Sequence, residues 1–276
     1  MIGELFWNQA LNSAINRKSL KNGSRNSPGN KNSLLTSFTF YLMGQKKLIR
    51  FEELKTFPNV LQYPEHMKGK WHAFFHNQNP ITLELACGKG EYAVGLGRLH
   101  PERNFIGIDI KGNRIWKGAK TALNEGLKNV AFLRTQIDKL TDYFAANEVS
   151  EIWITFPDPQ LRFSKMKKRL THPKFLRLYK NILQKDGIIH LKTDSPDLYN
   201  FTKAVIDLYD LKITDDKDDL YQEANISEAL TIKTHYENLD IAQSNKVHYL
   251  SFQLNGDLSK EKDEQLKELF REQTIE

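Results

Sequence analysis

From Pro80 onward the chain alternates short apolar runs with longer stretches in which apolar residues recur at helical spacing. The runs predict strands at Ile81–Ala86, Asn104–Ile110, Asn129–Arg134, Glu151–Phe156 and Gly187–Lys192. The stretches between and after them predict helices at Glu91–Leu99, Lys111–Gly126, Ile137–Ala146, His172–Gln184 and Pro196–Leu208. Strands joined by helical crossovers imply a parallel sheet covered on both faces. Two later β-like runs, Leu211–Thr214 and Lys246–Leu254, have no clear crossover helix between them. The second alternates in the manner of an antiparallel strand at the end of the sheet. The expected architecture is therefore α/β, a doubly wound, mostly parallel seven-stranded sheet whose last strand is antiparallel.

The ends of the chain read differently. Asparagine and serine dominate Asn8–Ser33, with no apolar period and a run of breakers at Ser24–Asn32. Such a segment buries too little apolar surface to offset the entropy of ordering it. Residues 1–42 are expected to be a disordered leader, with Met43 as the functional start and a helix from Arg50. Residues 43–79 then form an N-terminal extension, 80–255 the α/β domain and 256–276 a charged helical tail.

Charge changes the picture only locally. The formal net charge is +6, yet residues 1–50 hold eight basic residues against the single acid Glu4, so residues 51–276 carry 32 basic and 33 acidic residues. The body of the chain is close to neutral, and only local patches argue for a polyanionic partner. The lone Cys87 excludes an intrachain disulfide and a thiolate zinc site. The longest apolar window, Leu34–Met43, is too short and too polar to span a bilayer. The expectation is a cytoplasmic protein with no membrane and no metal, a monomer or homodimer.

The first strand runs into Glu84-Leu85-Ala86-Cys87-Gly88-Lys89-Gly90, and the second ends near Asp109. A glycine turn between strand and helix lets the backbone approach a ligand, and an acid at the tip of the next strand can hold a ribose diol. The spacing fits a dinucleotide loop, a loop for S-adenosylmethionine, or a tight turn without a ligand. Glu84 favours the second. An acid inside the strand would repel a pyrophosphate but attract a sulfonium cation with an α-ammonium group.

The fourth strand ends in Phe156-Pro157-Asp158-Pro159, where paired prolines stiffen the turn and Asp158 projects beyond the strand's carboxyl end. Arg162, Lys165, Lys167, Lys168 and Arg169 follow at once and point to a polyanion held beside the turn. Leu191-Lys192-Thr193-Asp194 ends the fifth strand. Asp194 can read the Watson–Crick edge of a guanine, or cap the helix that starts at Pro196. Thr231–Glu237 is a polar and aromatic loop able to face the same edge, although His235 also reads as an ordinary loop histidine.

With these residues assembled, the chain resembles the bacterial tRNA (guanine-N7-)-methyltransferase family from about Lys55 to Leu254. The likeness rests on Glu84 with its glycine loop, Gly107-Ile108-Asp109, Phe156–Pro159 with the basic run, Thr193-Asp194, and the threonine-to-glutamate segment ending at Glu237. It implies a Rossmann-like class I methyltransferase fold, S-adenosyl-L-methionine as cofactor, and tRNA as partner, methylated at guanine 46. It implies that Glu84, Gly88, Gly90, Asp109, Gln136 and Asp158 contact the cofactor, with Asp158 also catalytic. Arg162, Asp194, Thr234, His235, Tyr236 and Glu237 would contact the tRNA guanosine. The chain departs from the family pattern at Ala86, where a glycine is usual, and at Gln136, where an acid is common. It departs again at Gln160-Leu161-Arg162, where Trp-x-Lys is usual. Other readings are a nucleobase methyltransferase of different specificity, a non-catalytic RNA-binding protein on the same fold, and a nicotinamide dehydrogenase.

Overall fold

The computed structural model describes residues 47–235, 237–239 and 246–272. The proposed leader 1–42 and Tyr236 lie outside these residues, and the C-terminal helix is described only to Glu272.

Five strands form the buried parallel centre: β2 (Ile81–Leu85), β3 (Asn104–Asp109), β4 (Val130–Arg134), β5 (Val149–Thr155) and β6 (Leu183–Thr193). Two antiparallel strands, β7 (Lys212–Lys217) and β8 (His248–Gln253), complete one side, and the order across the sheet is β1-β4-β3-β2-β5-β6-β8-β7. The sheet has eight strands rather than the expected seven. The addition is β1 (Val60–Gln62), a three-residue edge strand parallel to β4. Its residues are only half-buried and too few to show a period; pairing, not pattern, makes it a strand. At the opposite edge β7 is mostly exposed and carries Lys212, Asp215, Asp216 and Lys217, charges that discourage further pairing.

Alternation along the strands feeds two cores. Ile81, Leu83 and Leu85 of β2, Ile106 and Ile108 of β3, and Ile152 and Ile154 of β5 face one of them. That layer is closed by α2 (Trp71–Phe75), α6 (Pro173–Ile182), α7 (Pro196–Leu208) and Leu266 of α9 (Lys262–Glu272). The opposite face packs on α3 (Glu91–Leu99), α4 (Gly112–Asn124) and the helix at residues 47–54, here α1, through Tyr92, Leu96, Ile115, Ala119 and Leu54. Glu84 and Trp153, register partners on β2 and β5, lie on this second face, under α3.

Two expected helices are shorter. The pattern at Ile137–Ala146 resolves into a 3₁₀ turn, Ile137–Lys139, and a single α-turn, α5 (Leu140–Tyr143). Phe144 leaves the helix in an extended conformation and stacks on Trp71 at 5.2 Å. The helix expected over His172–Gln184 ends at Ile182, because Leu183 already pairs with Val149 at the start of β6. The remaining short helix, α8 (Glu228–Thr231), precedes the late polar loop.

Strand order reverses at β2, whose neighbours are β3 on one side and β5 on the other. At such a switch point the helices leave to opposite faces and open a crevice beyond the carboxyl ends of the strands. The glycine loop after β2 and the Pro-Asp-Pro turn after β5 flank that crevice.

Candidate active site

The glycine loop is wound tightly. Ala86, Gly88 and Gly90 all have left-handed backbones, with φ of 54°, 54° and 69°. Gly90 N–H donates to the Cys87 carbonyl at 2.7 Å, and Cys87 N–H donates to Ile108 of the neighbouring strand at 3.0 Å. A side chain at Gly90 would press on the Phe132 ring, its Cβ only 2.3 Å from Cε1. Gly90 is therefore fixed both by its φ and by packing. At Ala86 the same conformation carries a cost that a glycine would not.

Asp109 closes the loop from the next strand. One carboxylate oxygen accepts from Gly88 N–H at 3.0 Å and the other from Lys111 N–H at 2.8 Å. Each oxygen keeps a lone pair, so the acid that braces the loop can still accept from a ligand hydroxyl. Glu84 is buried behind the loop. It accepts from Ala93 N–H at 2.8 Å, in the first turn of α3, and from the Thr155 hydroxyl at 3.3 Å. Burial raises its pKa to about 8, against the lowering effect of the Ala93 N–H. The carboxyl thus joins three elements, β2, β5 and α3.

Between the ends of β2, β3 and β4 and the start of α6 lies a cavity of about 580 Å³. Ala86, Asp109, Ile110, Gln136, Phe175, Lys167 and Lys168 line it. Thr135 also lines it, and its buried hydroxyl has no hydrogen-bond partner. The volume suits a ligand of nucleoside size, and the wall is part apolar and part polar, as such sites are.

Asp158 stands exposed at the end of β5, and its Oδ1 accepts from Gln160 N–H at 3.0 Å. The turn is strained: Phe156 and Gln160 have φ of 46° and 49°. Phe156 N–H donates to the Lys192 carbonyl at 2.8 Å, which carries the β5–β6 pairing one residue into the turn. Of the five cations expected to face a polyanion, Arg162, Lys165, Lys167 and Lys168 are exposed. Arg169 is not. It is buried, donates from Nε to the Pro159 carbonyl at 3.1 Å and lies 4.5 Å over the Phe201 ring. It braces the turn against α7.

Asp194 lies at the end of β6, on the same edge of the sheet as the ends of β2 to β5. Its alternative as the cap of α7 is taken by Ser195, whose Oγ accepts from Leu198 N–H at 3.3 Å. Thr234 and Glu237 bond reciprocally: Glu237 N–H donates to Thr234 Oγ1 at 3.1 Å, and Thr234 N–H to Glu237 Oε2 at 3.3 Å. This is a capping box around the short turn Glu237–Leu239. His235 is exposed.

Lys192 was not singled out from the sequence. It is fully buried, and its Nζ reaches the Tyr221 hydroxyl, the carbonyls of Leu230 and Ile232, and Glu237 Oε2 at 3.0–3.2 Å. The one available signal was a lysine inside an otherwise apolar buried strand, which must find partners.

A family model described as "Putative methyltransferase" matches residues 78–250. The tRNA (guanine-N(7)-)-methyltransferase of Porphyromonas gingivalis is 52% identical over 213 residues, 73% of this chain and 86% of that protein. The protein of the same name from Christiangramia forsetii is 49% identical over 223 residues, 77% of this chain and all of that protein. Among solved structures, the 16S rRNA methyltransferase KamB superposes with a TM-score of 0.53 at 15% identity, over 69% of this chain and 94% of that one, a likeness of fold alone. Among the described residues no cluster could hold a metal ion and no helix is long and apolar enough to cross a membrane. On the extent and identity of these matches, the chain belongs to the tRNA (guanine-N(7)-)-methyltransferase family.

Proposed function

We propose that the chain methylates N7 of a guanine in tRNA, at position 46 in the variable loop, with S-adenosylmethionine as donor. The observation that carries this reading is the gathering of Asp109, Gln136 and the strained Ala86 around one cavity at the carboxyl edge of the sheet. The residues fit the donor. The orphaned Thr135 hydroxyl and Gln136 offer polar partners, Ile110 and Phe175 an apolar wall, and Asp109 an acceptor for a ribose diol. Glu84, Gly88, Gly90, Asp109, Gln136 and Asp158 are the residues assigned to hold it. When bound, the donor supplies an electrophilic methyl group on a sulfonium.

Guanine N7 presents an in-plane lone pair and carries no proton, so the chain needs no general base. Its task is to hold N7 in line, and positioning of this kind can supply roughly 7–11 kcal/mol in favourable cases. The base gains positive charge as it is methylated. The Asp158 carboxylate, set on a rigid turn, stabilises that charge. Arg162, Asp194 and the Thr234 to Glu237 segment hold the guanosine, with Asp194 accepting from the N1–H and N2–H₂ edge. A tRNA substrate implies a cytoplasmic protein; it acts as a monomer or homodimer.

The test uses unmodified tRNA and labelled S-adenosylmethionine, followed by borohydride and aniline treatment. Chain cleavage at a single variable-loop guanine is expected; label at any other base or none overturns the reading. Asp158→Asn should lower kcat on the order of a hundredfold and weaken donor binding as well, since Asp158 is assigned to both. Full turnover in that variant would reduce Asp158 to a turn residue.

A further inference from the structure

The ammonium of Lys192 sits where the acceptor-side elements meet. It has three protons and four acceptors within 3.2 Å: Tyr221 Oη, Leu230 O, Ile232 O and Glu237 Oε2. The rings of Tyr92, Phe156 and Tyr221 surround it at 5.5–5.7 Å from their centroids. Its own carbonyl holds Phe156 N–H at the head of the Asp158 turn. One residue therefore ties the turn through its main chain and the late loop through its side chain. The next two residues are Thr193 and Asp194.

Glu237 faces inward. Its side chain is only 5% exposed and is engaged by Lys192, by Tyr221 Oη and by Thr234 N–H. A carboxylate so occupied has little capacity left for a base, while a buried ion pair fixes the segment that carries it.

We propose that Lys192 is a positioning residue for the tRNA guanosine, a latch that grips Glu237 and, through the Leu230 and Ile232 carbonyls, holds the late loop against the carboxyl edge of the sheet. On this inference Glu237, placed above at the end of the segment that holds the guanosine, acts through the latch and does not itself touch the base. Contact with the guanosine falls to Asp194 and to the part of the loop that the latch presents. The inference rests on the reading of this edge as the tRNA side of the active site.

Removing one partner of a buried pair leaves the other charge uncompensated, whereas removing both is far milder. The expected results follow from that asymmetry. Lys192→Met should raise KM for tRNA by roughly ten- to a hundredfold while kcat at saturating tRNA and the Kd for S-adenosylmethionine stay within about twofold. Lys192→Met combined with Glu237→Gln should be no worse than the worse single variant, because both changes break one latch. If the two losses multiply instead, Glu237 makes its own contact and the proposal is wrong. Tyr221→Phe keeps the half-exposed ring and removes one ligand of the pair, so it tests the latch even if Lys192→Met fails to fold. A several-fold rise in KM for tRNA with unchanged donor affinity supports the latch, and an unchanged KM overturns it. Parent enzyme that leaves tRNA guanine N7 unmethylated in the same assay would instead overturn the functional reading.

Discussion

Ala86 occupies a left-handed position, φ 54°, at the start of the glycine loop. That conformation costs an L-residue roughly 1–2 kcal/mol, while glycine adopts it freely but loses about 0.5–1 kcal/mol more entropy on folding. Ala86→Gly should therefore stabilise the protein by about 0.5–1 kcal/mol in urea unfolding; a loss of stability would mean that the Ala86 methyl is needed for packing. Glu84 makes a prediction of opposite kind. Its carboxyl, usually near 4.5, is raised to about 8 by burial, so the folded protein favours the protonated form. Its contribution to stability is fully present below about 4.5 and is lost as pH rises towards 8. On the proposed reading the cationic donor lies beside Glu84 and draws the proton off. Donor affinity should then rise with pH up to about 8 and flatten above, with proton release visible in calorimetry across buffers of different ionisation enthalpy. Affinity independent of pH would place the donor's charge away from Glu84.

At the scale of elements, the turn after β5 is held from two sides. Lys192 fixes its start through Phe156, and Arg169 fixes its end through the Pro159 carbonyl and the Phe201 ring. Arg169→Met keeps much of the volume over Phe201 but leaves that carbonyl without its charged donor. It should cost about 1–3 kcal/mol in stability and lower kcat. Lys165→Gln, on the exposed part of the same run, should leave stability within about 0.5 kcal/mol and act on KM for tRNA alone. Equal effects of the two substitutions would remove the distinction between brace and patch. This distinction was not legible in the sequence, where Arg169 is one cation among five. The central strands were legible, since burial on both faces writes itself as an uninterrupted apolar run. So were the acids at their tips, whose place follows from topology. Strand β1 was not, because its order comes from β4, some seventy residues later in the chain. The Lys192 network was hidden for the same reason: its partners lie 29 to 45 residues away, and no local pattern announces them.

For the molecule as a whole, the distribution of charge decides how it meets a polyanion. The chain carries a formal +6, but residues 1–42 contribute five basic residues and one acid, leaving +2 on residues 43–276. On the proposed reading the exposed cations Arg162, Lys165, Lys167 and Lys168 beside the turn contact phosphate, and the near-neutral body contributes little. Each phosphate neutralised lowers the slope of log affinity against log salt by about 0.7–0.9. A patch of four contacts predicts a slope near −3 for tRNA binding, the same in the full chain and in a version beginning at Met43. Lys165→Gln should make that slope shallower by just under one in either form. If the full chain instead shows a slope steeper than the shortened one by more than about one, the basic residues before Met43 are tRNA contacts. The expectation that Met43 is the functional start would then fail on binding, whatever the rate of methyl transfer, because salt dependence counts ionic contacts and is blind to the chemistry at the sheet's edge.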